Sequence, residues 1–199
     1  MVALAAAVVS LVISAQSGAV AQTDGRAPVV REPIREDLSE EVDLFALDVC
    51  GVEVRSETRV RGQFVLYGDL SARTHLNIEI IYTDPESGEV LLVERDAETF
   101  FDDAPTSETI DEDAGTRTVV FESTITGLPL NSIVPGDGVL IRDAGRISET
   151  ITVVYDLETG EQLSFDEEFT DVRGPHPFIE LAPQERVALF CSVVSQSSP

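Results

Sequence analysis

Side chains able to do acid–base or metal chemistry are few in kind and unevenly placed in this chain. Histidine occurs twice, at His75 and His176. His176 stands between two prolines in Gly-Pro-His-Pro, a rigid loop able to orient a general base, and His75 opens a run of alternating residues. A serine hydrolase would set one of them beside a nucleophile, but no Gly-x-Ser-x-Gly elbow is present. Both are therefore read as positions without a catalytic role, His176 facing solvent in its loop and His75 at a strand rim. Carboxylates are plentiful. The stretch 102 to 113 crowds Asp102, Asp103, Glu108, Asp111, Glu112 and Asp113 around Pro105, the composition of a solvated loop. Oxygen ligands at this density suit calcium, a hard cation, and Asp102, Asp103, Asp111 and Asp113 are its candidate ligands in a weak calcium loop. The EF-hand spacing of Asp111, Asp113 and Glu122 breaks at Gly115, which stands at a ligand position, and at Thr116, where that loop needs glycine. No carboxylate pair of the kind a glycosidase uses can be singled out among so many acids. The lack of Trp and the presence of only three Tyr also remove the usual sugar-stacking platforms. No phosphate-cradling loop or dinucleotide fingerprint occurs, so no cofactor is implied; the expected role is that of a non-enzymatic domain that binds or scaffolds, with a barrel holding a small apolar ligand as the alternative and a hydrolase third.

Cys50 and Cys191 are the two cysteines, near opposite ends of the part expected to fold. In an oxidising compartment they would form one disulfide closing nearly the whole domain. No Cys-x-x-Cys spacing exists, and two Cys with two distant His make a poor zinc set. Residues 1–21 read as a secretory signal peptide: Val2 to Val20 are almost wholly apolar or small, and Ala19-Val20-Ala21 fits the cleavage pattern. Ser10, Ser14, Gln16 and Ser17 interrupt the run, which argues against a membrane span. The expected location is extracytoplasmic.

The formal net charge is −24, from 13 basic and 37 acidic residues among 199, and every basic one is arginine. Such a field repels nucleic acid and anionic membrane, and favours a basic or cell-envelope protein partner.

The elements that must position these groups are strands. In His75 to Arg95, Leu76, Ile78, Ile80 and Tyr82 fall on one side of a period-two ribbon, with His75, Asn77, Glu79 and Thr83 on the other. Asp84-Pro85-Glu86-Ser87-Gly88 then supplies turn chemistry, with Gly88 free to take a positive φ. Val90 to Val93 is apolar on both faces, which predicts a central or covered strand. The plan recurs from Ile147 to Phe169, where Ile147, Ile151, Val153 and Tyr155 alternate with Ser148, Thr150 and Thr152, and Asp156-Leu157-Glu158-Thr159-Gly160 turns the chain. Residues 22–48, rich in acids and carrying Pro28 and Pro33, read as a flexible acidic arm, with a short helical turn capped by Ser39 or an edge segment docking Leu44 and Phe45 at its end. The β-domain is expected over 49–194, with two turns between Gly127 and Asp137, a closing strand over Val187 to Val194, and a tail at 195–199. Eight to ten short strands and no helix of normal length make the fold class all-β. An antiparallel β-sandwich is the first expectation, and an up-and-down or lipocalin-like barrel the alternative.

Cys50-Gly51, the hairpin Thr83-Asp84-Pro85-Glu86-Ser87-Gly88-Glu89, the segment Gly136-Asp137-Gly138-Val139-Leu140 leading to Gly145-Arg146, the Gly160 hairpin and Cys191 together resemble small secreted proteins of high-GC Gram-positive bacteria that have no assigned function. The resemblance covers about three quarters of the chain, from which the acidic 102 to 113 stretch departs by its length. It implies export, a disulfide and a β fold, and carries over no catalytic residue.

Overall fold

The computed structural model describes residues 27–195. The expected signal peptide, the first residues of the arm and most of the tail lie outside them. Eight antiparallel strands form one sheet: β1 (Pro28–Glu40), β2 (Arg55–Tyr67), β3 (Ala72–Thr83), β4 (Val90–Asp102), β5 (Ser107–Asp111), β6 (Thr116–Val134), β7 (Gly138–Asp156) and β8 (Gln162–Arg173). Their order is β1-β2-β3-β4-β6-β7-β8, a meander, with the short β5 paired to β6. The fold is all-β. Among the described residues three helices complete it: α1 (Leu44–Cys50), α2 (Pro177–Glu180) and α3 (Pro183–Val194).

Several local expectations are corrected. The arm is not flexible over its described part, because Val30 to Glu40 pair in continuous register with Leu66 to Ser56 of β2 and the chain then turns into α1. Backbone pairing, which needs no apolar side chain, outweighs the polar composition here. Ser39 remains in β1, and α1 is capped instead by Asp43, whose carboxylate accepts the Ala46 N–H at 2.8 Å. The expected closing strand is helix α3. Pro183 sits in its first turn, Glu185 accepts the Ala182 N–H at 2.8 Å, and the buried Phe190, Val193 and Val194 recur at helical spacing. The strands are long rather than short, reaching 19 residues in β6 and β7. Of the two turns expected between Gly127 and Asp137, the second is present at 135–137, where the Asp137 N–H donates to the Val134 carbonyl at 3.1 Å, while β6 runs through the first and a register shift between Gly127 and Leu130 absorbs the irregularity.

The two hairpin turns are built alike. One Asp84 oxygen accepts from the backbone N–H groups of Glu86 and Ser87 and from the Ser87 hydroxyl, and one Asp156 oxygen accepts from Glu158, Thr159 and the Thr159 hydroxyl. Gly88 and Gly160 close them at φ of 74° and 72°.

The apolar interior is divided, not single. One cluster gathers Ala46 of α1, Val54, Tyr82, Leu91 and Leu92 under Phe190, Val193 and Val194 of α3. The Phe190 ring meets Tyr82 edge-on at 5.3 Å. Cys50 at the end of α1 is bonded to Cys191 of α3, with Cα atoms 5.3 Å apart at a sequence separation of 141, so α1 and α3 are clamped over this end. The other cluster is Val119, Ile151, Val153 and Tyr155, with Phe121 and Phe165 against it.

Candidate functional site

Pleat alternation sends every second side chain of a strand to one face. On β3 that set is Thr74, Leu76, Ile78, Ile80 and Tyr82, and on β4 it is Glu94, Asp96, Glu98, Phe100 and Asp102. Ser123 and Ile125 of β6 and Ile147, Glu149 and Ile151 of β7 continue the same face. All of these line one cavity of about 830 Å³. Leu38 of β1 and Phe165 and Phe169 of β8, from opposite ends of the strand order, line it too, so the sheet is curled into a trough. α1, α2 and α3 contribute Leu44, Phe45, Phe178, Ile179 and Arg186 to its walls.

The curl follows from glycine. Gly127 of β6 pairs with Glu98 on one side and with Gly145 of β7 on the other. A Cβ at Gly127 would strike the carbonyl oxygen of Ala97, and one at Gly145 that of Arg173. Such close approach of neighbouring backbones is where a sheet can bend sharply, and only a residue without a side chain permits it.

Apolar side chains dominate the middle of the trough, where Phe100 pairs with Ile125 and Ile125 with Ile147. A stripe of carboxylates crosses it. Glu94 accepts from the Ser132 hydroxyl at 3.3 Å, Asp96 from the Asn131 N–H at 3.3 Å, and Asp102 from the Ser123 hydroxyl at 2.8 Å. Burial pushes Glu94 up to about 7, with Asp96 adding to it, and pushes Asp96 to about 7, with Glu98 adding. Glu98 also reaches about 7, through burial and then Glu149. Glu149 does the same through burial and then Glu167 and Asp102. Asp102 is raised by burial, against the opposing Ser123 hydrogen bond. The Tyr82 phenol is held well above its ordinary value by burial first and by Glu94 next. In each case the low-dielectric wall disfavours the charged form.

The residues singled out in the sequence fall elsewhere or apart. Asp102 belongs to β4 and faces the trough, while Asp111 ends β5 and takes the Ala114 N–H. Asp103 follows β4, and Asp113 lies in the turn between β5 and β6. The solvated loop is thus largely a hairpin, with its acids spread along a strand pair, and among the described residues no group of three metal-ligating side chains comes together. His176 is not solvent-facing: it is 1 % exposed, with Nε2 3.1 Å from the Arg173 carbonyl oxygen. His75 stays at the surface, Nδ1 3.0 Å from the Thr99 hydroxyl and Nε2 3.2 Å from the Asn77 amide. A second, shallower notch of about 450 Å³ on the opposite sheet face carries Arg59, Arg61 and Arg95. Their ion pairs with Glu57, Glu79 and Asp37 already occupy them.

The β4 carboxylate stripe was missed by sequence reasoning. Its signal was present: the period that carries Leu92 inward continues to Glu94, Asp96 and Glu98. Alternation alone gives an acidic face to solvent, and here curling turns it inward. Compared with models of protein families, with curated proteins and with solved structures, the chain has no match in any of the three.

Proposed function

We propose that this chain is a non-enzymatic, extracytoplasmic binding domain that holds a small, largely apolar ligand in the trough of its curled sheet. The observation that carries this is the cavity of about 830 Å³ walled by one face of seven strands and by residues of all three helices. That volume lies in the range of small-molecule sites, which are mostly apolar with a few placed polar groups. Leu76, Ile78, Ile80, Phe100, Ile125 and Ile147 supply the apolar surface. Binding is favoured over hydrolysis because the hydrogen bonds of His75 and His176 go to Thr99, Asn77 and the Arg173 carbonyl. No arrangement of base, nucleophile and acid is among them. Export belongs to the same reading and is supported by the Cys50–Cys191 disulfide. No described helix is long and apolar enough to cross a membrane. The resemblance to small secreted proteins of high-GC Gram-positive bacteria fits that placement.

Titration with the neutral fluorophore Nile red tests the proposal. Emission should rise saturably to one site, and Ile125→Trp, which fills the middle of the trough, should abolish the rise while the far-ultraviolet circular dichroism is kept. A linear response overturns the reading, as does an unchanged isotherm in the folded Ile125→Trp variant.

A further inference from the structure

Two side chains in the trough wall stand out. Glu98 and Glu149 are 8 % and 4 % exposed, both line the cavity, and neither receives a hydrogen bond or ion pair from any described residue. Glu94, Asp96 and Asp102 beside them each have a donor. Their oxygens stay open to the cavity, and a carboxylate set in a low-dielectric wall without a protein donor is costly to ionise, a cost relieved by a positive partner that brings N–H groups.

Among the described residues the protein does not supply that partner. Ten carboxylate residues line the trough against one basic residue, Arg186. Its guanidinium donates to the carbonyls of Leu181 and Ile179 at 3.0 and 2.6 Å and lies over the Phe178 ring at 5.2 Å. Arg186 is spent on joining α2 to α3.

We infer that the ligand of this trough is a cationic single-chain amphiphile, its ammonium head on Glu98 and Glu149 and its hydrocarbon tail along Phe100, Ile125 and Ile147. This rests on the trough being the binding site, as proposed above. An ammonium offers three donors and no acceptor, which is what two unpartnered carboxylates require. An anionic head meets repulsion from the whole wall, and a neutral head leaves both acids uncompensated. Like-charged lining of this kind discriminates against fatty acids as strongly as it selects for amines.

Displacement of Nile red at pH 8 by dodecylamine, dodecanol and dodecanoate, matched in chain length and kept below aggregation, tests the inference. Dodecylamine should displace the dye at a concentration at least about tenfold below dodecanol, with dodecanoate weakest, since each factor of ten corresponds to one good charge-assisted contact. In the Glu98→Gln/Glu149→Gln variant, with each competitor referred to that variant's own dye affinity, amine and alcohol should come to within about twofold of each other. If the dye binds and the amine competes no better than the alcohol, the cationic assignment falls while the trough stands. If the folded variant keeps the full preference, the assignment to Glu98 and Glu149 falls. If the dye does not bind, the binding reading itself falls, and this one with it. Should the variant fail to fold, the wild-type ratio of amine to alcohol decides alone.

Discussion

Glu94 is 2 % exposed and has one weak donor, the Ser132 hydroxyl, yet it shares a strand face with Asp96 and Glu98. Carboxylates so placed set the pH dependence of the fold. In the unfolded chain they titrate near the ordinary carboxylate range, and in the folded chain Glu94, Asp96, Glu98 and Glu149 titrate at about 7. Between those two values the native state holds more protons than the unfolded one. Their contribution is therefore full below the unfolded pKa and is lost as pH climbs to about 7, so stability from this source falls with rising pH. Calorimetry should show the melting temperature declining from about pH 5 to about pH 7.5, the reverse of ordinary acid denaturation. Glu94→Gln should flatten part of that slope and stabilise the protein at pH 8 by on the order of 1 to 3 kcal/mol. A melting temperature that climbs steadily over the interval, or a destabilised Glu94→Gln at pH 8, would contradict the account.

At the scale of elements, the helices are held by covalent and apolar contact together. α1 presents Leu44, 69 % exposed, at the trough and buries only Ala46. Seven residues with so little buried surface make a marginal helix. Its attachment is the Cys50–Cys191 bond and the packing of Phe45 on Phe190, ring centres 5.5 Å apart. Closing a loop of 141 residues restricts the unfolded chain by about 5 kcal/mol in the chain-entropy description. Reduction, or Cys50→Ser/Cys191→Ser, should lower the urea midpoint by a corresponding amount, with helical circular dichroism lost ahead of strand signal. An unchanged midpoint would mean that the α3 packing alone anchors this end. The hairpins were legible because one Asp oxygen, a hydroxyl two or three residues on and a Gly at positive φ are a purely local device. β1 and α3 were not. β1 is defined by its partner β2, and the apolar run 187–194 suits strand or helix until a surface exists for Phe190, Val193 and Val194 to pack on.

Across the whole molecule, a net charge of −24 is spread over a sheet whose concave side is itself acidic. Self-repulsion of that size opposes folding and is screened by salt. Raising sodium chloride from about 10 mM to about 1 M should increase the melting temperature at pH 8, and by less at pH 5, where Glu94, Asp96, Glu98 and Glu149 are protonated. Equal increments at both pH values would place the repulsion on the outer surface instead. By itself the sequence determined the all-β class, the two Asp–Gly hairpins, the inward set Leu76, Ile78, Ile80 and Tyr82, and the Cys50–Cys191 pairing. Each follows from alternation, turn chemistry or the count of available partners. The tertiary structure alone decided that Glu94, Asp96 and Glu98 face a cavity, that Glu149 joins them from β7, and that the interior splits into two clusters. Pleat alternation assigns a residue to one side of a sheet but does not say which side becomes concave. That is set by the backbone approach at Gly127 and Gly145 and by the helices clamped across one end.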